Sequence, residues 1–158
     1  MPFIPTIALN TPTTIAFILI PKTNPTDQIQ KQYKIMANGW KLRDVKTLSS
    51  VWAGDYTETQ NVKGKAKTAN RKEALALVQV MLKKWDKVEM VYTIQSLNLM
   101  DGGKKAQVVA LVSGVITVDA KTKTPGTATM TAKFNHLWVN QGKTWLLQQQ
   151  SPNFPKKK

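Results

Sequence analysis

Apolar side chains along this chain change their spacing twice, and the changes mark its elements. Asn24-Pro25-Thr26-Asp27 supplies an N-cap, a first-turn proline and a first-turn acid. Ile29, Tyr33, Met36 and Trp40 then recur at steps of 4, 3 and 4, the stripe of an amphipathic helix. Asn38-Gly39 is expected to end or bend it. A second, short helix opens at Asp44 and is expected to bury Leu48, Val51 and Trp52. The run Asp55-Tyr56-Thr57-Glu58-Thr59-Gln60 alternates and is rich in threonine, which reads as an edge strand. Asn61 to Ala69 holds Gly64 and three lysines and reads as an exposed loop or short hairpin. Asn70-Arg71-Lys72-Glu73 has the pattern of a capping box, with the Asn oxygen and the Glu carboxylate each satisfying an orphan amide. The helix it opens carries a broad apolar stripe of Ala74, Leu75, Leu77, Val78, Met81, Leu82 and Trp85.

From Lys87 the period becomes two. Val88, Met90, Tyr92 and Ile94 share one parity while Leu97 and Leu99 take the other, so a bulge is expected near Gln95-Ser96. Asp101-Gly102-Gly103-Lys104 is a hairpin turn. Gln107 to Val118 is apolar on both parities and reads as a central strand covered on both sides. A longer turn spans Lys121 to Gly126. Thr127 to Asn140 then alternates, with Ala128, Met130, Ala132, Phe134, His136 and Trp138 on one parity. Asn140-Gln141-Gly142-Lys143 makes the last tight hairpin, with Trp138 and Trp145 on either side of it. Three helices and an edge strand followed by about four long antiparallel strands give an α+β domain with its helices on one face of the sheet.

The 158 residues suffice for one core, and no apolar run approaches the ~20 residues of a spanning helix, so no membrane span is expected. With no cysteine, a single histidine and nine scattered acids, disulfides, thiol catalysis and a metal site drop out, and no cofactor is implied. The net charge of +14 invites a polyanion partner. Only Arg43 and Arg71 among the 23 basic residues are arginines, however, so the lysines read first as a solvated surface and nucleic-acid binding only as an alternative. Residues 1–24 form an apolar leader or strap, residues 25–152 the domain, and residues 153–158 a basic tail. The first segment lacks a basic n-region and a small-residue cleavage site, so it is a strap, a degenerate export signal or a disordered leader. Localisation stays open between cytoplasmic and exported.

Three stretches together resemble the nuclear transport factor 2-like superfamily, in particular its SnoaL-like branch and the domain-of-unknown-function 4440 family. They are Asp44 to Tyr56 (DVKTLSSVWAGDY), Gly64 to Leu75, and Phe134 to Ser151 with its Trp-Val, turn, Gly, Trp ending. The resemblance implies a cystatin-like cone, in which a strongly bent antiparallel sheet wraps three N-terminal helices and leaves a pocket at one end. It also implies a homodimer formed through the outer sheet face. Some relatives are isomerases, dehydratases or cyclases, and others only bind, so the fold leaves function open.

The resemblance sets Gln60 where ketosteroid-isomerase-like enzymes hold their catalytic base and Asn135 where they hold an oxyanion acid, with Tyr33 about one helical turn from their tyrosine. An amide cannot abstract a proton at neutral pH, so those catalytic carboxylates are not matched. Asp55 and His136 remain as weak catalytic candidates. Asp55 reads first as a turn or cap acid, and His136 as a satisfied sheet histidine. Alternation places His136 with Phe134, whereas the resemblance turns Asn135 inward, and only a bulge reconciles the two. Trp40, Trp52, Tyr56, Tyr92 and Trp138, with the amides of Asn135, Gln148 and Gln150, are the candidate ligand-binding residues. The aromatics among them read first as core and dimer contacts and second as pocket lining. The expectation is a pocket for a small, largely apolar molecule, with noncatalytic binding ahead of a cofactor-free isomerase, dehydratase or hydrolase.

Overall fold

Local signals place the helices. In the computed structural model, which describes residues 23–118, 121 and 126–153, helix α1 (Pro25–Leu42) begins where the Asn24 side chain accepts from the Thr26 amide at 3.0 Å. It buries the predicted stripe of Ile29, Tyr33, Met36 and Trp40. Gly39 does not stop it; the helix runs on to Leu42 and closes on Arg43 in the left-handed conformation (φ 56°). Gly39 serves packing instead. A Cβ there would lie 2.6 Å from the Leu48 amide nitrogen and 2.8 Å from its Cα, so the missing side chain is what lets α2 (Val45–Ser49) seat on α1. Asp44 caps α2 by accepting from the Lys46 and Thr47 amides. Helix α3 (Arg71–Lys84) opens on both arms of the capping box, Glu73 amide to Asn70 at 3.0 Å and Asn70 amide to Glu73 at 2.9 Å.

Six strands form one sheet: β1 (Trp52–Val62), β2 (Lys65–Asn70), β3 (Trp85–Met100), β4 (Lys105–Val118), β5 (Gly126–Gln141) and β6 (Thr144–Pro152), in the order β2-β1-β6-β5-β4-β3. Neighbours are antiparallel except β1 and β6, which run parallel. The alternating run read as an edge strand is therefore interior. Its outer neighbour is β2, folded from the segment read as loop or hairpin, and its inner neighbour β6 comes from the far end of the chain. The bulge near Gln95 is present as a register shift between Ile94 and Ser96. At the last hairpin Gln141 pairs with Thr144, and Gly142 takes the positive φ (77°) of the two-residue loop.

The sheet curls without closing, and the helices fill its concave face: α1 lies across β3 and β6, and α3 across β1, β2 and β3. This is an α+β, cone-like architecture. Trp138, Trp145, Tyr33, Tyr56, Leu48 and Leu147 are the large side chains at its centre. Strand β4 is covered on one face only within a single chain. Ala106, Val108, Ala110 and Val112 are buried, whereas Val109 and Leu111 are half-buried and Val115 is exposed. The expected turn at Lys121 to Gly126, the leader and the basic tail fall outside the described residues, apart from Thr23, Asn24, Lys121, Gly126 and Asn153.

Candidate functional site

The curl leaves a cavity of about 790 Å³ between the helices and the concave face. Its walls follow from strand parity. Tyr56, Glu58 and Gln60 point inward from β1, Met90 and Tyr92 from β3, Met130, Ala132 and Phe134 from β5, and Gln150 from β6. Met36 and Trp40 of α1, Val78 and Met81 of α3, Trp52 and Trp85 also line it, with Thr59, Asn61, Lys133 and Asn153 among its polar residues. The lining is mainly aromatic and methionine-rich, with a few polar groups, the composition expected of a small-molecule site.

One set of polar groups is satisfied within the protein. Trp138 Nε1 donates to the Tyr33 hydroxyl at 3.2 Å, that hydroxyl lies 2.6 Å from His136 Nδ1, and His136 Nε2 lies 3.1 Å from Gln150 Oε1. Each group has the partner it requires if Tyr33 donates to Nδ1 and His136 carries its proton on Nε2. Burial holds the imidazole in its neutral form and lowers its pKa to about 4, against a smaller upward pull from the Gln150 hydrogen bond. Burial likewise pushes the Tyr33 and Tyr92 hydroxyls far above their ordinary range. Both remain hydrogen-bond donors at any physiological pH.

The second set is open. Glu58 is only 8 % exposed. Its Oε2 accepts from the Tyr56 hydroxyl at 3.1 Å, and Oε1 accepts from the Gln60 amide. Burial, and after it the neighbouring Glu58 carboxylate, raise the Tyr56 pKa, which keeps that hydroxyl protonated as a donor. Among the described residues no cation pairs with Glu58, the ion pairs there being Lys87–Glu89 and Lys105–Asp101. Tyr92 accepts from Trp40 Nε1 at 3.0 Å, and its own proton has no acceptor among the described residues. The buried Trp52 Nε1 has no partner either, and Trp52 stacks on Tyr56 at 4.3 Å. The amide nitrogen of Gln150 is also unengaged among the described residues, its oxygen being taken by His136. The cavity lining therefore includes one carboxylate and two residues with an unengaged donor, Tyr92 and Gln150, beside Thr59, Asn61, Lys133 and Asn153 on otherwise apolar walls. Among the described residues no group of three His, Asp or Glu could hold a metal ion.

Of the candidates named from sequence, Trp40, Trp52, Tyr56, Tyr92 and Gln150 lie on the cavity wall. Trp138 sits deeper, bound to Tyr33. His136 lies just beneath Gln150, facing the concave side as the alternation implies. Asn135 has the opposite parity and takes the Asn153 amide. Asp55 and Gln148 are joined at 2.7 Å on the outer side, away from the cavity. The β5–β6 pairing shifts between Leu137 and Trp138, at the level of Gln148 on β6, so a bulge does occur, but it leaves Asn135 outward. Sequence reasoning passed over Glu58. The signal was its parity with Tyr56 in an alternating strand, overlooked because Gln60 occupied the expected base position.

No family model and no curated protein matches the chain. Solved structures do. A conserved protein from Planctomyces limnophilus is 12 % identical with a TM-score of 0.67, over 80 % of this chain and 92 % of that one. A candidate dehydratase of the nuclear transport factor 2-like family from Streptomyces avermitilis is 14 % identical with a TM-score of 0.62, over 82 % and 97 %. This chain has the nuclear transport factor 2-like fold. The LinA-type3 hexachlorocyclohexane dehydrochlorinase of Novosphingobium barchaimii shares it, at 20 % identity and a TM-score of 0.62 over 81 % and 84 %. In all of them similarity at this level speaks for architecture, and the chemistry has to be argued from the cavity.

Proposed function

We propose that this nuclear transport factor 2-like chain, of the SnoaL-like or domain-of-unknown-function 4440 type, binds a small, largely apolar molecule without transforming it. The observation that carries this reading is the cavity of about 790 Å³, whose aromatic and methionine walls bear a few unengaged polar groups. Its size falls within the roughly 300–1,000 Å³ of small-molecule sites. Tyr92 and Gln150 would fix a ligand's orientation by donating to it. The test is fluorescence of the apolar dye N-phenyl-1-naphthylamine with the wild type and with Ala132→Trp, which puts an indole into the cavity from the wall. Bright emission with the wild type and loss with the variant is the expected result. Equal emission from both proteins would place the apolar surface elsewhere and defeat the reading.

A second reading is favoured by Glu58: a buried carboxylate in an apolar cavity with hydrogen-bond donors can abstract a proton next to a carbonyl without a cofactor. A dehydrochlorinase and a candidate dehydratase are among the proteins that share the fold. Deuterium incorporation into an enolisable ketone, slowed at least about 100-fold by Glu58→Gln, would support it. Asp55→Asn and His136→Gln are the parallel variants, and exchange unchanged by all three substitutions would end this proposal. The half-open outer face of β3 and β4, with Val91 and Val115 exposed, is the surface on which a homodimer would form. Sedimentation of wild type against Val115→Lys checks it, a monomeric wild type being the contrary result.

A further inference from the structure

The geometry points to an organic ammonium ion as the ligand of this cavity, its charged nitrogen held by Glu58. The inference rests on the reading of the cavity as a small-molecule site and adds the ligand's charge. Glu58 brings a carboxylate into a recess where it is 8 % exposed, and among the described residues no cationic side chain pairs with it. Lys133, the basic residue on the lining, forms no ion pair with it. Both partners of Glu58, the Tyr56 hydroxyl and the Gln60 amide, are neutral. A carboxylate offers about four lone-pair sites, and these partners occupy two. Buried carboxylates are ordinarily paired with a cation, and the position of that cation here is open to the cavity.

The surrounding walls suit the same ligand. Tyr56, whose hydroxyl binds the carboxylate, and Trp52, stacked on it at 4.3 Å and 13°, give apolar walls for the body of such a ligand. A neutral alcohol could donate one hydrogen bond to Glu58. An ammonium could also neutralise the charge. The free donors of Tyr92 and Gln150 would then meet an acceptor elsewhere on the ligand or water. The net charge of +14 opposes the approach of a cation from a distance, but that repulsion is screened over about 8 Å at physiological salt and leaves the contact itself intact.

The experiment is titration of the purified chain with 2-phenylethylammonium chloride and, separately, with 2-phenylethanol, which replaces the ammonium by a hydroxyl on the same apolar body. Quenching of tryptophan fluorescence reports occupancy, since Trp40, Trp52 and Trp85 line the cavity. The ammonium is expected to bind at least about tenfold more tightly than the alcohol. Glu58→Gln should erase that preference. Equal affinity of the two probes for the wild type, or a preference that survives Glu58→Gln, overturns the proposal. Binding of the alcohol alone overturns it while sparing the cavity reading, and binding of neither defeats both. Should Glu58→Gln not fold, the comparison of the two probes on the wild type still decides.

Discussion

His136 should make this protein lose stability as the pH falls below neutrality, by an amount that follows from its burial. The imidazole is 1 % exposed, locked between Tyr33 and Gln150, and its pKa drops from 6.5 to about 4. Between those values the unfolded chain binds a proton that the folded chain declines, so stability rises with pH across the window and the contribution is flat above it. At about 1.36 kcal/mol per unit, the difference between 6.5 and about 4 corresponds to about 3 kcal/mol lost on going from pH 7 to pH 4. The groups in contact with the ring, Tyr33, Phe134, Trp138 and Gln150, do not titrate in that range. The assay is urea unfolding at half-unit steps from pH 7.5 to 4 for the wild type and His136→Gln. The variant keeps an amide within reach of Tyr33 and Gln150 but removes the proton site. Carboxylates titrate in both proteins, so the difference between the two curves isolates the histidine. It should open toward acid by about 3 kcal/mol, with the urea dependence unchanged. Parallel curves would show that the imidazole is not held neutral by burial and would refute the reasoning.

Other consequences can be checked by the same unfolding measurement. Tyr33→Phe removes the acceptor of Trp138 Nε1 and the hydroxyl beside His136 Nδ1 together, and at about 1–3 kcal/mol for each buried group left unpaired it should be among the costlier single-atom deletions. Gly39→Ala adds up to about 1 kcal/mol of helix propensity, yet drives a methyl into the Leu48 backbone at 2.6 Å. A net loss of about 1–3 kcal/mol is expected, and a stabilised variant would show that α1 and α2 can separate without cost. Asn70→Ala removes one arm of the capping box on α3 and should cost about 1 kcal/mol, with Asn70→Asp restoring most of it.

The sequence by itself determined the parts governed by neighbours a few residues apart. The caps at Asn24, Asp44 and Asn70, the stripe of α1, the bulge after Ile94 and the last hairpin were legible because a cap acts over one turn and a strand face repeats every second residue. The fold class followed from their order. Contacts across the sheet were not legible. Only the tertiary structure placed β1 between β2 and β6, since its parallel partner lies about ninety residues away, Glu58 pairing with Gln150. That pairing sets β1 inside the curl, where Glu58 shares the concave face with Gln150 and is buried in the cavity wall. Gly39 shows the same limit: next to Asn38 it looks like a helix terminator, and only the approach of Leu48 reveals a packing residue. Asp55 and Glu58 are both acids of one alternating run, but three residues apart on a strand they face opposite sides. Their burial depends on which face the helices cover, and that is settled when the sheet curls around them.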